Sequence, residues 1–117
     1  MSYRQIDGHA LVGESQPVVH LSAPPEHLAA TTGLDFDTVD DDLAVLHRAA
    51  VQVGGLRFVL QRYDGNPVPG TEVACYDAGD PLDQAQLLVD ALGVREHVDA
   101  YFDGGAWNDG PLPAHAA

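Results

Sequence analysis

Apolar residues recur at helical spacing in the middle of the chain. Between residues 38 and 53 they are separated by four, three, four and three positions, which predicts a helix with one apolar stripe. These positions are Val39, Leu43, Leu46, Ala50 and Val53. Asp37 or Thr38 would cap this helix, and Gly54-Gly55 would end it.

Alternating apolar residues predict a β-hairpin immediately afterwards. A strand over residues 56–63 presents Phe58 and Leu60 on one face, and a second strand covers residues 71–76. The connection between the strands is rich in Gly, Pro, Asp and Asn, which are residues that form turns. We expect the two strands to pair antiparallel, with Phe58 and Leu60 in the core.

Weaker patterns predict the other elements. They are strands over 9–13 and 18–22 that would form another hairpin, a short helix or a loop from Pro24-Pro25 to Gly33, a helix over 81–92, and one or two helical turns over 94–102. The predicted fold class is α+β, a small antiparallel sheet of two hairpins with helices packed on one face. We expect a single domain over residues 1–103, followed by a Gly-, Pro- and Asp-rich C-terminal tail over residues 104–117.

The predicted helix over residues 81–92 carries more apolar surface than one sheet can cover. Its polar strip is narrow and consists of Asp83, Gln86 and Asp90. A helix that rests on a sheet needs an apolar stripe little wider than about 100°. The surplus is expected to contact either the C-terminal segment or a second copy of the chain, so a homodimer through this helix stays open.

Acidic residues greatly outnumber basic ones. The chain has 18 Asp and Glu residues against five arginines, contains no lysine, and carries a formal net charge of −13. This charge excludes nucleic acids and anionic membrane surfaces as partners, because phosphate contacts need clustered Arg and Lys. It suits a basic protein partner. The alternative is that the acidity only solvates the surface, as in proteins from GC-rich genomes or salty habitats.

Cysteine content and the N-terminal residues bear on the compartment. Cys75 is the single cysteine, so the chain cannot form an intrachain disulfide. The first residues contain no apolar run of signal-peptide length, and no stretch approaches the roughly 20 apolar residues of a membrane span. We therefore expect a cytoplasmic protein.

Catalytic and metal-binding motifs are missing from the sequence. The six histidines do not occur in the close pairs that metal sites use, and Cys75 lies at a predicted core position within a strand. The sequence has no Gly-x-Ser-x-Gly elbow, Walker loop or dinucleotide fingerprint. We expect no catalytic residues, cofactor or metal, but an enzyme whose Asp and His residues assemble from distant positions stays open.

Three parts of the chain are candidates for partner binding. The loop after the strand over 56–63 is stiffened by two prolines, the helix over 81–92 has its polar strip, and the tail holds a lone tryptophan. The candidate residues are Tyr63, Asp64, Asn66, Asp83, Gln86, Asp90 and Trp107. Trp107 would either fold back onto the helix over 81–92 or contact a partner.

We interpret the chain as a non-enzymatic small acidic protein of the inhibitor or immunity type, which binds and neutralises a basic protein partner. Its negative charge would steer association with such a partner. One alternative is a self-associating accessory domain whose acidity is solvation charge. The other is an enzyme that uses Asp and His for acid–base chemistry.

Overall fold

Eight strands and two helices are formed by residues 2–42 and 44–114, the part of the chain that the computed structural model describes. The strands are β1 (Tyr3–Ile6), β2 (Gln16–Leu21), β3 (Asp37–Asp41), β4 (Ala44–Val53), β5 (Leu56–Tyr63), β6 (Thr71–Cys75), β7 (Val98–Phe102) and β8 (Trp107–Asp109). The helices are α1 (Pro25–Thr32) and α2 (Pro81–Leu92). The fold is mixed α/β and dominated by strands.

The strands form one sheet in the order β1-β4-β5-β6-β2-β7-β8, and β3 also pairs with β4. Every pairing is antiparallel. The ten-residue β4 accommodates two short strands along one edge, because β1 pairs with residues 50–53 and β3 pairs with residues 44–48. Its other edge pairs with β5. The sheet is therefore larger than the two hairpins that the sequence predicts.

The prediction of a helix over residues 38–53 is wrong, because this region forms the strands β3 and β4. Its apolar positions do not alternate, because β4 has buried residues on both faces: Leu46 and Ala50 lie on one face, and Val51 and Val53 on the other. Alternate residues of β4 contribute to the core, namely Ala49, Val51 and Val53. Gly54 and Gly55 have positive φ angles of 54° and 86° and form the two-residue turn between β4 and β5, so they do not end a helix. Leu43 lies outside the described residues.

The hairpin predicted after Gly55 is confirmed. β5 pairs antiparallel with β6, with Phe58 opposite Cys75 and Leu60 opposite Val73. Phe58 and Leu60 are both 0% exposed. Burial raises the pKa of the Cys75 thiol, which fits its place in the core and disfavours a thiolate nucleophile.

The helices predicted between Pro24-Pro25 and Gly33 and over residues 81–92 are confirmed as α1 and α2. Gly33 ends α1 in the left-handed conformation, with a φ of 79°. Asp80 caps α2, where its carboxylate accepts a 3.0 Å hydrogen bond from the Asp83 N–H. Among the described residues, no helix combines the length and the apolar character that crossing a membrane requires.

Two further predictions are wrong because strands pair with partners distant in sequence. Residues 9–13 form no strand, so the hairpin predicted between residues 9–13 and 18–22 does not exist. β2 pairs with β6 and β7 instead. The helical turns predicted over 94–102 are limited to a 3₁₀ turn at Arg95–His97, after which the chain forms β7. The β-branched and aromatic residues of β7 pack well on a pleated sheet, and the edge of β2 is available to them.

The C-terminal segment, expected as a tail, contacts α2. Leu112 is buried in the same core cluster as Leu88 and Val89 of α2. The Gln86 side-chain amide donates a 2.7 Å hydrogen bond to the Pro113 carbonyl oxygen. The apolar surface of α2 is therefore met in large part by its own chain.

Replacing Phe58 with alanine is expected to lower the free energy of unfolding by about 3–5 kcal/mol, because the ring is fully buried. Urea unfolding followed by circular dichroism measures this change. Val12→Ala is the control, since Val12 is 64% exposed, and it should change the free energy by no more than about 0.5 kcal/mol. A loss below about 1 kcal/mol for Phe58→Ala would contradict the burial of this ring.

Candidate functional site

One row of laterally paired residues crosses five neighbouring strands, on the face of β5 and β6 that points away from the core. The row consists of Gln61 (β5), Glu72 (β6), His20 (β2), Ala100 (β7) and Asp109 (β8). Neighbouring strands lie about 4.8 Å apart, so the row is roughly 19 Å long. All five residues line one groove, with a volume of about 420 Å³.

The adjoining part of this face is buried. Ala50, Val59 and Ala74 form a neighbouring row that is paired in register, and none is more than 3% exposed. The N-terminal segment reaches this region at the 3₁₀ turn Gly8–Ala10, where the Arg57 guanidinium donates a 3.0 Å hydrogen bond to the Ala10 carbonyl oxygen. The groove is therefore the part of the face that this segment leaves open.

Exposed aromatic side chains mark the two ends of the row. Tyr63 belongs to β5 and Trp107 to β8, the outer strands of the row, and they are 40% and 45% exposed. Val68, on the loop between β5 and β6, also lines the groove and is 55% exposed. Grouped exposed apolar side chains mark interaction sites more often than scattered ones do.

The loop from Asp64 to Gly70 is organised around the guanidinium of Arg62. One nitrogen, Nη1, donates to the carbonyl oxygens of Val68 and Gly70 at 2.7 and 3.1 Å, and Nη2 donates to the carbonyl oxygen of Asn66 at 3.2 Å. The planar fork of arginine suits several acceptors at once. The hydrogen bonds of Arg62 therefore fix the loop at the Tyr63 end of the groove.

The Trp107 end is held by the turn between β7 and β8. The Asp103 carboxylate accepts hydrogen bonds from the N–H groups of Gly105 and Ala106, at 2.8 and 2.9 Å, and from the Asn108 side-chain amide at 3.0 Å. These bonds lower the pKa of Asp103 to about 2, the Asn108 bond most strongly. The Trp107 ring lies against Phe102, with ring centroids 5.9 Å apart.

A histidine–aspartate pair lies in the middle of the groove. His20 Nδ1 is 2.5 Å from Asp99 Oδ1, and the His20 side chain is 18% exposed. The ring packs against Gly70, where an added Cβ would lie 2.8 Å from His20 Cε1 and would also clash with the Leu21 carbonyl oxygen. Gly70 also has a φ of 103°, so only glycine suits this position.

Carboxylates dominate the charge of the groove. Glu72, Asp99 and Asp109 line it, against a single arginine, Arg62, whose N–H groups bind the loop carbonyls. An acidic floor between aromatic side chains attracts cations, because carboxylates provide charge and the faces of aromatic rings provide cation–π contacts. The groove is thus suited to a positively charged ligand.

The structure brings three of the sequence-predicted site residues together and separates the other four. Tyr63, Asn66 and Trp107 line the groove. Asp64 lies outside it, and its carboxylate is 2.7 Å from His47 Nε2. The three candidates on α2 are also elsewhere: Asp83, Gln86 and Asp90. Gln86 is only 6% exposed and binds Arg95, which also donates to Asp90 at 3.2 Å.

Sequence reasoning missed the groove residues His20, Glu72, Asp99 and Asp109. Each lies on a strand or next to one, and the chain separates them widely. Only the lateral order of β6, β2, β7 and β8 brings them together. The alternation of Glu72 with buried neighbours was the one local signal that this carboxylate points away from the core.

A second depression, of about 450 Å³, lies beside α1 and contains the His47–Asp64 pair. It has fewer exposed aromatic groups, with Phe36 as its single Phe, Tyr or Trp. Within residues 2–42 and 44–114, no three His, Cys, Asp or Glu side chains come together in a way that could hold a metal ion. The groove between Tyr63 and Trp107 is therefore the better candidate site.

Comparison with known proteins assigns no family to this chain. No protein-family model matches it, and no curated protein or solved structure is significantly similar to it. Function is therefore inferred from the geometry and chemistry of the groove.

Acidification is expected to release the β7–β8 turn only at very low pH. Because the folded pKa of Asp103 is about 2 and its ordinary value is 3.8, its stabilisation is complete above about pH 4 and is lost as the pH falls through about 2. The pH dependence of the Asp103 side-chain carboxyl ¹³C shift, measured by NMR, should have its midpoint near pH 2. A titration midpoint near pH 3.8 would contradict the three hydrogen bonds. The variant Asp103→Asn should speed amide hydrogen exchange at Gly105 and Ala106, because their N–H groups donate to the Asp103 carboxylate.

Proposed function

We propose that this protein is a non-enzymatic binding protein whose groove accepts cationic side chains of a basic protein partner, in the manner of an inhibitor or immunity protein. The observation that carries the proposal is the groove along this row, in which the carboxylates of Glu72 and Asp109 lie together with the exposed rings of Tyr63 and Trp107. Tryptophan, tyrosine and arginine are the residues that most often dominate the binding energy of protein interfaces.

Electrostatics support a basic protein as the partner. The net charge of −13 would steer a cationic protein toward this surface and would repel nucleic acids and anionic membranes. We also infer that α1 and α2 pack on the face of the sheet that carries the core, which leaves the groove accessible. The proposed setting is the cytoplasm, because the single cysteine is buried and no intrachain disulfide can form.

The self-associating alternative has less support. Its motivation was the apolar surplus of α2, but Ala85, Leu88 and Val89 are each 0% exposed within a single chain. A homodimer through this helix therefore has little apolar surface left to bury. The same acidity would also repel a second copy.

A cationic peptide provides a direct test of the groove. We expect an acetylated octapeptide of alternating Arg and Val to bind and to change the fluorescence of Trp107, the single tryptophan, whereas the same peptide with Glu in place of Arg should not bind. Affinity should fall about tenfold or more between about 50 and about 500 mM salt, because screening weakens the attraction.

Matched variants separate the groove from the general charge. Glu72→Gln should weaken binding of the Arg peptide, measured by calorimetry, by about fivefold, which corresponds to roughly 1 kcal/mol. Glu14→Gln removes the same charge at an exposed position that does not line the groove and should change affinity by less than about twofold. Equal losses in both variants, or equal binding of the Arg and Glu peptides, would contradict the proposal.

A second candidate function is acid–base catalysis at His20, favoured by the 2.5 Å contact between His20 Nδ1 and Asp99. A carboxylate on one ring nitrogen fixes the tautomer and leaves Nε2 for a substrate. Among the described residues that line the groove there is no Ser, Thr, Cys or Lys, so water would have to be the nucleophile. Ester turnover with p-nitrophenyl acetate that disappears in His20→Gln would favour this function, and turnover equal in both proteins would exclude it.

A further inference from the structure

We propose that the basic partner binds by adding an extended strand to the free edge of β8, with its cationic side chains on the groove face. This inference rests on the proposed function and specifies the mode of binding. β8 is one of the two terminal strands of the sheet order, the other being β1, so one edge of β8 has no neighbour among the strands that the structure describes. Added strands form main-chain hydrogen bonds with such edges, and alternate side chains give specificity.

The register shows which backbone groups of β8 face outward. The Asp103 N–H donates to the Ala106 carbonyl oxygen at 3.2 Å, and the Gly110 N–H donates to the Asp99 carbonyl oxygen at 2.8 Å. Hydrogen-bonded and non-hydrogen-bonded pairs alternate along an antiparallel ladder. Asn108 therefore directs its N–H and C=O toward β7, whereas Trp107 and Asp109 direct theirs to the free edge.

The same two residues present their side chains to the groove. Trp107 and Asp109 are two positions apart on β8, so they share one face of the sheet, and both line the groove. A residue added opposite Asp109 would extend the row by one strand. Its nearest neighbours in the row would be Asp109 and the small Ala100, which leaves space for a long side chain to cross toward Asp99.

Charge decides which strand the edge accepts. Asp103 and Asp109 are both exposed at the β7–β8 hairpin, and Asp103 stays ionised to about pH 2. Another copy of this chain would bring the same carboxylates to the edge, and like charges directly opposite each other destabilise a strand pair. A strand with Arg or Lys at alternate positions has the complementary charge. The occupant is therefore a cationic extended segment of another protein.

β3 carries exposed aspartates too, but it lacks the other features of β8. Asp37 and Asp40 are exposed on β3. None of its residues lines the groove, and the strand has no aromatic residue. An exposed tryptophan at the edge favours β8, because aromatic anchors contribute much of the energy of protein interfaces.

Hydrogen exchange of individual amides tests the inference. The ¹⁵N-labelled protein is measured with and without the octapeptide of alternating Arg and Val. Strand addition should slow exchange of the Trp107 and Asp109 amides by about tenfold or more, because they gain hydrogen bonds, and should leave the Asn108 amide unchanged. Binding with unchanged exchange at Trp107 and Asp109 would overturn strand addition and leave the proposed function intact. If the peptide does not bind, the proposed function fails and this inference fails with it.

Two variants at one position separate backbone from charge. Asp109→Asn removes the carboxylate and should weaken peptide binding about fivefold. Asp109→Pro also removes the outward N–H and should weaken binding by about a further tenfold. The Gly110 amide, which bonds to Asp99, should remain protected in Asp109→Pro and so report that the hairpin is folded. Equal affinities of the two variants, with Gly110 protected, would overturn the inference.

Discussion

The lateral register of β5, β6, β2, β7 and β8 is the constraint on which the groove depends. Side chains alternate between the faces of a strand, so a slip of one residue in any pairing would move a groove residue to the other face. β2 occupies the central position and has register shifts in both of its pairings. In the pairing with β6, Val18 is an extra residue between Pro17 and Val19, so Val18 and Val19 are both fully buried while His20, the next residue, lines the groove.

Arginines of this acidic chain bind groups within the fold, as Arg57, Arg62 and Arg95 show. Arg57 donates to both Asp77 oxygens and to the Tyr76 carbonyl, and each partner shifts the other: the pKa of Asp77 is lowered and that of Arg57 is raised. Arg62 binds three loop carbonyls, and Arg95 connects Gln86 and Asp90 of α2. These guanidinium groups are therefore bound within the fold, and the carboxylate charges remain at the groove. This distribution gives a surface that favours cations without weakening the loops that shape it.

Local signals in the sequence predict the elements that depend on local interactions. Asp80-Pro81 and Gly93 define α2, and the turn residues after Tyr63 define the hairpin of β5 and β6. A helical spacing over residues 44–53 does not exclude a strand, because a strand that is buried on both faces has apolar residues at odd and even positions, and Gly-Gly also suits a two-residue hairpin turn. The partners of β2 are at least 50 residues away, at β6 and β7, so no local pattern specifies them.

The same distinction explains which part of the candidate site was accessible to sequence reasoning. Tyr63, Asn66 and Trp107 stand out as aromatic or polar residues in turn-rich segments, whereas His20 and Glu72 acquire meaning only from the register. The rings at the two ends come from distant segments, yet the loop or turn beside each is held by local hydrogen bonds, from Arg62 in the loop and to Asp103 in the turn. A partner that binds between them would find both ends already ordered. Less conformational entropy is then lost on binding, so a shallow groove with two aromatic anchors can give specific recognition.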